Sequence, residues 1–365
     1  MDLLANPWRG IGLPADADIA QCDLPPDAID PGDLLAHCPA AAATPLRHVP
    51  QLARELGINE LLLKDESQRM GLGSFKALGA AWVIARAAVE QLPGDVASAT
   101  PAQIAKALDG RVYACASAGN HGLSLAAGAR IFGAGAIIYL PESAPRAFAR
   151  RLQALGAEVV HPGGDYEASM ARAAADAEAN GWILLSDSSW PGYVELPARV
   201  MQGYQVAAQE IVDALEPPPT HVFLQAGVGG FAAAMAAVFR NAWGDDPCIV
   251  VVEPERALAL HDSIRAGRVC HARGPASNMG RLDCKEPSHL ALGELARAAD
   301  WFLGISDHAA TRATDCLAEH GITTTPSGAA GVAGAMIAAH QATAIGLDAN
   351  SRVLAFVSEG AEDSN

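Results

Sequence analysis

Lysine is scarce in this sequence. Of 25 basic residues only four, Lys64, Lys76, Lys106 and Lys285, are lysines, so chemistry that needs an amine nucleophile has few places to reside. Aromatic residues make up 5% and charged residues 18% of the 365 positions. The seven cysteines are scattered and odd in number, with no Cys-x-x-Cys pair. That pattern argues against a disulfide framework and against a zinc site, so reduced thiols and no metal are expected. No apolar stretch approaches the roughly 20 residues that cross a bilayer, so no membrane partner is expected. Met1 to Trp8 lack the basic-then-apolar order of a signal peptide, and the expected location is cytoplasmic. Positive charge is short overall: the net charge is −16 and the sequence pI is near 5.0. Such a surface repels phosphate backbones, which excludes nucleic acid as a natural partner. An anionic ligand must then be held by local devices such as helix N-termini.

What is present is a half-hydrophobic chain rich in alanine and glycine, long enough for about two domains. Residues 1–45 are rich in Pro, Asp and Ala and read as an irregular arm with a short helix near Pro31–His37. After Thr44-Pro45-Leu46 the pattern becomes regular: a helix over Gln51–Leu56, a strand at Leu61–Lys64, and a long helix from Phe75 through Ala88. Gly94–Leu108 reads as an insertion with a helix, capped by Thr100 and opened by Pro101. Strands at Val112–Ala116, Ala136–Leu140, Glu158–His161 and Trp182–Ser186 alternate with helices at His121–Phe132, Arg146–Leu155 and Glu167–Asn180. A helix at Leu196–Leu215 leads to strand His221–Gln225, helix Phe231–Ala242 and strand Cys248–Glu253. Short apolar strands between such helices predict parallel sheets covered on both faces. Two runs of alternation, before and after about Asp187, predict two sheets with a ligand cleft between them. The acidic tail Glu359–Asn365 reads as frayed.

Four loops stand out. In Gly71-Leu72-Gly73-Ser74-Phe75-Lys76-Ala77-Leu78-Gly79 a lysine opens a helix after a glycine-rich turn. The positive end of a helix disfavours an ammonium and predicts a lowered pKa, as a Schiff-base lysine needs. In Ser117-Ala118-Gly119-Asn120-His121-Gly122, after a strand, small residues let backbone amides approach a carboxylate. The alternative there is that Ser117 and Asn120 merely cap a helix. Gly227-Val228-Gly229-Gly230 between strand and helix suits a phosphate. Extended to Ala232, with Glu253 ending the next strand, it also imitates a dinucleotide-binding unit, but that reading leaves Lys76 and the asparagine loop unexplained. In Thr325-Pro326-Ser327-Gly328-Ala329-Ala330-Gly331 a serine precedes a helix, as a pocket-floor hydroxyl or as an N-cap.

Together and in this order, these loops resemble the fold-type II pyridoxal-phosphate enzymes, from Thr44-Pro45-Leu46 to about Gly334. Within them the chain is most similar to the diaminopropionate ammonia-lyases. Three segments carry that likeness: Lys64-Asp65-Glu66-Ser67 leading to Phe75-Lys76; Asp187-Ser188-Ser189-Trp190-Pro191-Gly192-Tyr193; and Met201-Gln202-Gly203-Tyr204. The resemblance implies an α/β fold like the tryptophan synthase β chain. A large domain of residues 1–76 and 189–365 would hold a small inserted domain, 77–188, with pyridoxal 5′-phosphate between them, and the enzyme would be a homodimer.

It also implies roles. Lys76 would carry the cofactor and Asn120 would face its 3′-oxygen. Gly227, Val228, Gly229 and Gly230 would hold the phosphate, and Ser327 would face the pyridine nitrogen. A neutral hydroxyl there makes the ring a weaker electron sink, favouring prompt loss of a β-substituent. Asp187 would handle protons, and Ser117, Ala118, Gly119 and His121 would meet the substrate. The implied activity is β-elimination from a small 2-amino acid, 2,3-diaminopropionate-like or 3-hydroxy, giving a 2-oxo acid and ammonia. One departure stands out: the lyases' loop reads Thr-Asp-Gly-Asn-His-Gly, and Ala118 takes the place of its aspartate, as in the serine/threonine dehydratases. A dehydratase, a β-replacement synthase of the cysteine synthase kind and a catalytically silent pyridoxal-phosphate-binding protein are the alternatives.

Overall fold

The computed structural model describes residues 2–15, 17, 19, 40–92, 99–117, 119–142, 144, 146–164, 166–341 and 343–361. The expected helix near Pro31–His37 and the position of Ala118 lie outside them. Strands and helices alternate around two sheets. The larger has seven strands in the order β1 (Asp2–Ala5), β10 (Trp301–Ile305), β9 (Cys248–Pro254), β8 (His221–Gln225), β11 (Arg352–Val357), β3 (Glu60–Asp65) and β2 (Leu46–His48). Its five central strands are parallel, and β1 and β2 close the edges antiparallel. The smaller sheet is all parallel, in the order β6 (Glu158–Val160), β5 (Gly135–Tyr139), β4 (Val112–Ala116) and β7 (Ile183–Leu184).

The side-chain period of two explains why the central strands read as unbroken apolar runs. Val222, Leu224, Ile249, Val251, Leu354 and Phe356 face one core. Their neighbours Phe223, Val250, Val252, Val353, Ala355 and Val357 face the other. The first core also takes Tyr113, Cys115, Ala136 and Ile138 from the smaller sheet, so one apolar layer joins the two sheets. Ala114, Ala116, Ile137 and Tyr139, on the outer face, pack on Ala173 and Ala177 of the helix Tyr166–Asn180.

Most sequence-predicted elements lie within one or two residues of the observed ones. Pro50–Glu55 forms α1, and Pro101–Ile104 is a short helix that Thr100 caps reciprocally with Gln103. Five departures are instructive. The predicted helix from Phe75 is broken: Phe75–Leu78 is one 3-10 turn, and α2 runs from Ala80 to Val89. The break falls at Gly79, where a Cβ would lie 2.6 Å from the ring of Tyr204. The predicted strand Trp182–Ser186 shortens to Ile183–Leu184 because the chain turns away toward Asp187. Asp2–Ala5, expected to be irregular, is an edge strand whose pairing with β10 is far off in sequence (Asp2 with Gly304) and has no local signature. The region beyond Glu253, left unassigned apart from the serine loop, supplies among the described residues the two strands β10 and β11 and four α-helices. Lastly, the tail does not fray at Glu359: that residue is buried, and Gly360 donates to the Gly73 carbonyl at 3.0 Å.

Candidate active site

The predicted site residues sit where parallel strands end. The chain leaves β3 into the turn that carries Lys76. The Ser117–Asn120 loop follows β4, Asp187 follows β7, and Gly227–Gly230 follows β8. Glu359 follows β11. The helix α12, Pro326–Gln341, brings Ser327 to the same place.

Lys76 is seated by the rings around it. Phe75 packs edge-on to Tyr204 with centroids 5.0 Å apart and lies 4.2 Å from Phe231. The helix α7, Glu195–Ala214, comes close to this turn because Gly203 has no side chain, where a Cβ would run into the Leu78 carbonyl. This packing accounts for the segment Met201-Gln202-Gly203-Tyr204. Asp187 is held by a clasp: Trp190 and Tyr193 exchange both backbone hydrogen bonds and stack at 4.3 Å. The Tyr193 hydroxyl donates to the Leu184 carbonyl at 2.8 Å and accepts the Ser186 N–H at 3.0 Å. The clasp explains why the Asp187–Tyr193 segment is so distinctive. Lys64, Glu66, Arg69 and Glu210 form an ion network behind the turn and pin β3 to α7.

Lys76 Nζ and Asp187 Oδ2 form an ion pair. Burial alone would lower the lysine pKa, but the Asp187 carboxylate outweighs it and holds the ammonium well above its ordinary range. Likewise burial alone would raise Asp187, yet Lys76 and His121 hold it well below the usual carboxylate range. The expected lowering of Lys76 is therefore corrected. The lysine sits in an isolated 3-10 turn and not at the end of a long helix dipole, and a carboxylate faces it.

His121 is buried. Its Nε2 donates to the Leu185 carbonyl at 2.8 Å, while Nδ1 has no hydrogen-bond partner among the described residues. Burial lowers its pKa, so the ring is neutral and Nδ1 is an acceptor. Ser117 Oγ accepts the N–H groups of Gly119 and Gly122, at 3.2 and 3.1 Å, and so shapes the loop as a cap. Asn120 does not cap; its Nδ2 donates to Glu359 Oε2 at 2.6 Å.

The loop Gly227–Gly230 opens the helix α8, Gly230–Trp243. Gly229 has φ +97°, and no side chain among the described residues caps the helix, so its first amides are available to an anion. A Cβ on Gly227 would lie 3.0 Å from Cys284 Sγ and 3.2 Å from the Arg281 carbonyl. Ser288 ties this loop to the Asp187 segment: its N–H donates to the Val228 carbonyl at 2.9 Å, and its Oγ accepts the Ser189 N–H at 3.2 Å. Ser327 Oγ accepts the Arg281 N–H at 3.1 Å, which leaves the hydroxyl proton for a second partner.

The dinucleotide alternative fails on Glu253. Its two carboxyl oxygens accept the N–H groups of Leu260 and His261, both at 2.8 Å, so it caps the helix Ala259–Ala266 and offers nothing to a ribose. Sequence reasoning missed three neighbours of the site, Cys284, Arg281 and Glu359. None lies in a patterned loop, and all three arrive by long-range folding.

A lysine facing a carboxylate, an uncapped glycine-rich helix start and a neutral hydroxyl, all at the ends of parallel strands, are the parts of an enzyme that holds a phosphorylated aldehyde. The residues present fit pyridoxal phosphate. The chain belongs to the pyridoxal-phosphate dependent enzymes, whose family model matches residues 38–359. A diaminopropionate ammonia-lyase of Salmonella typhimurium is 33% identical over 297 residues, covering 78% of this chain and 72% of that protein. The crystal structure of the Escherichia coli diaminopropionate ammonia-lyase with D-serine superposes with a TM-score of 0.85 at 26% identity, covering 98% of this chain and 93% of that one. The same enzyme with an aminoacrylate–pyridoxal-phosphate azomethine reaction intermediate gives 0.84 at 27% identity, with the same coverage. The fold is thus the fold-type II arrangement that the sequence resemblance implied.

Proposed function

We propose that this protein is a pyridoxal-phosphate dependent ammonia-lyase that removes a β-substituent from a small 2-amino acid and releases a 2-oxo acid and ammonia. The observation that carries this reading is the Lys76–Asp187 ion pair between the two sheets, an amine and an ionised carboxylate that share one proton site. When bound, the cofactor supplies an electron sink for the bond-breaking at the α-carbon. Lys76 would carry it, and the amides of Gly227, Val228, Gly229 and Gly230 would take its phosphate. Asn120 would face the 3′-oxygen and Ser327 the pyridine nitrogen. With substrate in place, Lys76 Nζ would take the α-proton and hand a proton to Asp187 Oδ2, which would deliver it to the departing β-substituent. Ser117, Ala118, Gly119 and His121 receive the substrate, with the Nδ1 acceptor of His121 directed to a donor. Residues 1–76 with 189–365 act as the large body and 77–188 as the inserted one. The protein is a cytoplasmic homodimer; the free cysteines among the described residues suit a reducing compartment, and no helix of the described chain is long and apolar enough to cross a membrane.

The substrate is 2,3-diaminopropionate or a 3-hydroxy amino acid. Ala118 favours the second reading, a dehydratase-like choice, because it leaves Asp187 and Lys76 without a further acid at that loop. An absorbance spectrum of purified protein separates the cases. It is recorded before and after adding 2,3-diaminopropionate, serine or threonine, with Lys76→Ala alongside. A band near the visible edge that is lost in Lys76→Ala, and shifted by one amino acid with release of 2-oxo acid, is the expected result. A rate raised by an added nucleophile points to β-replacement. A colourless protein that takes up no added pyridoxal phosphate overturns the reading.

A further inference from the structure

Glu359 joins the two sheets at the site, and nothing in its own sequence neighbourhood announces it. Its backbone is fixed from both sides: its carbonyl accepts the Thr324 hydroxyl at 2.5 Å, and the next residue, Gly360, bonds to Gly73 three positions before Lys76. The Glu359 side chain is 7% exposed. Oε1 accepts the Thr325 hydroxyl and Oε2 accepts Asn120 Nδ2 at 2.6 Å, with Arg281 Nε 3.8 Å away. Gly328 keeps this corner clear, since a Cβ there would sit 3.2 Å from Glu359 Cγ.

A carboxylate only accepts hydrogen bonds. Asn120 must therefore present its NH2 group to Glu359, which removes the usual freedom of an amide to turn over. We propose that Glu359 is a positioning residue: by taking one N–H of Asn120 it fixes the amide so that the second N–H serves the cofactor's 3′-oxygen. That oxygen is anionic or shares a proton, so it requires a donor, and an overturned amide would set Oδ1 against it. Glutamine at 359 lacks this discrimination, because its own NH2 satisfies an overturned Asn120. The proposal rests on the assignment of Asn120 made above.

The test uses full-length protein stripped of cofactor and titrated with pyridoxal 5′-phosphate, comparing wild type, Glu359→Gln, Asn120→Ala and the double variant. The readouts are the dissociation constant, the position of the visible band and the melting temperature of the cofactor-free protein. Glu359→Gln is expected to weaken binding about tenfold, the value of one charge-linked hydrogen bond, and to move the band as Asn120→Ala does. In the double variant the loss equals that of Asn120→Ala alone, because Glu359 acts through Asn120. Additive losses, or an unmoved band with binding within twofold of wild type, overturn the proposal. Should Glu359→Gln fail to fold, Thr325→Val loosens the same carboxylate and must move the band in the same direction; an unmoved band again overturns it. Wild-type protein without a Lys76-dependent band instead removes the assigned function, a failure distinct from that of Glu359.

Discussion

Replacing Asp187 by asparagine keeps the shape of the side chain and deletes the charge that holds Lys76 protonated. The two side chains are 24% and 17% exposed, so water screens their attraction only in part. Removing one member of such a buried pair costs about 3–5 kcal/mol. Lys76 can relieve the loss by shedding its proton. A lysine neutralised at pH 7 gives up about three and a half units from its ordinary 10.5, and at about 1.4 kcal/mol per unit that sets a ceiling near 5 kcal/mol. The pH window follows from the directions of the two shifts. The depressed Asp187 contributes stability above its ordinary value of 3.8, lost as the pH falls below it. The raised Lys76 contributes below its ordinary value of 10.5, lost as the pH rises through its folded value. Between these limits the cofactor-free Asp187→Asn protein should unfold in urea with about 3 kcal/mol less stability than wild type. The gap should start to narrow only as the pH falls below 3.8 and close as it passes the depressed folded value of Asp187, and in a Lys76→Met background most of it should vanish. Turnover should fall about 10²–10⁴-fold, the usual worth of a positioned acid–base group. Coupling between the two variants below about 0.5 kcal/mol, within the additivity error, together with turnover within tenfold of wild type, refutes the reasoning.

Three further outcomes follow from single contacts. Gly227→Ala places a Cβ 3.0 Å from Cys284 Sγ and close to two backbone atoms, so it should weaken pyridoxal-phosphate binding about tenfold or more, read by titration, with little change in far-ultraviolet dichroism. Gly79→Ala drives a methyl into the Tyr204 ring and should cost about 1–3 kcal/mol, seen as a lower melting temperature. Burial pushes Glu253 up to about 8 from 4.5, against the N–H groups of Leu260 and His261. The wild-type protein therefore loses stability relative to Glu253→Gln as the pH rises from 4.5 to 8, and the difference in melting temperature should be flat beyond that.

Much of the site was legible because its parts are local. A glycine-rich loop after an apolar strand needs only a few neighbours to be recognised, and Gly71–Gly79, Ser117–Gly122, Gly227–Gly230 and Thr325–Gly331 are all such loops at strand ends or helix starts. The alternation of strand and helix from Val112 to Glu253 was readable for the same reason. Edge strand Asp2–Ala5 was not, because an edge strand has a partner on one side only and little burial to print a pattern. The helix break at Gly79 was hidden because its cause is the Tyr204 ring, on an element far along the chain. The raised Lys76 pKa was hidden likewise, since its carboxylate lies 111 residues away.

Residue type and short spacing were enough to expect the class of fold, to single out Lys76 among four lysines and to mark Gly227–Gly230 as a loop suited to a phosphate. Which charges meet was settled by packing. Asp187 faces Lys76, Glu253 turns to a helix start instead of a ligand, and Glu359 reaches Asn120 across 239 residues. The physical reason is one of range. Periodicity and turn chemistry act over a few residues, whereas electrostatics acts through space and is set once the two sheets have packed around their common core.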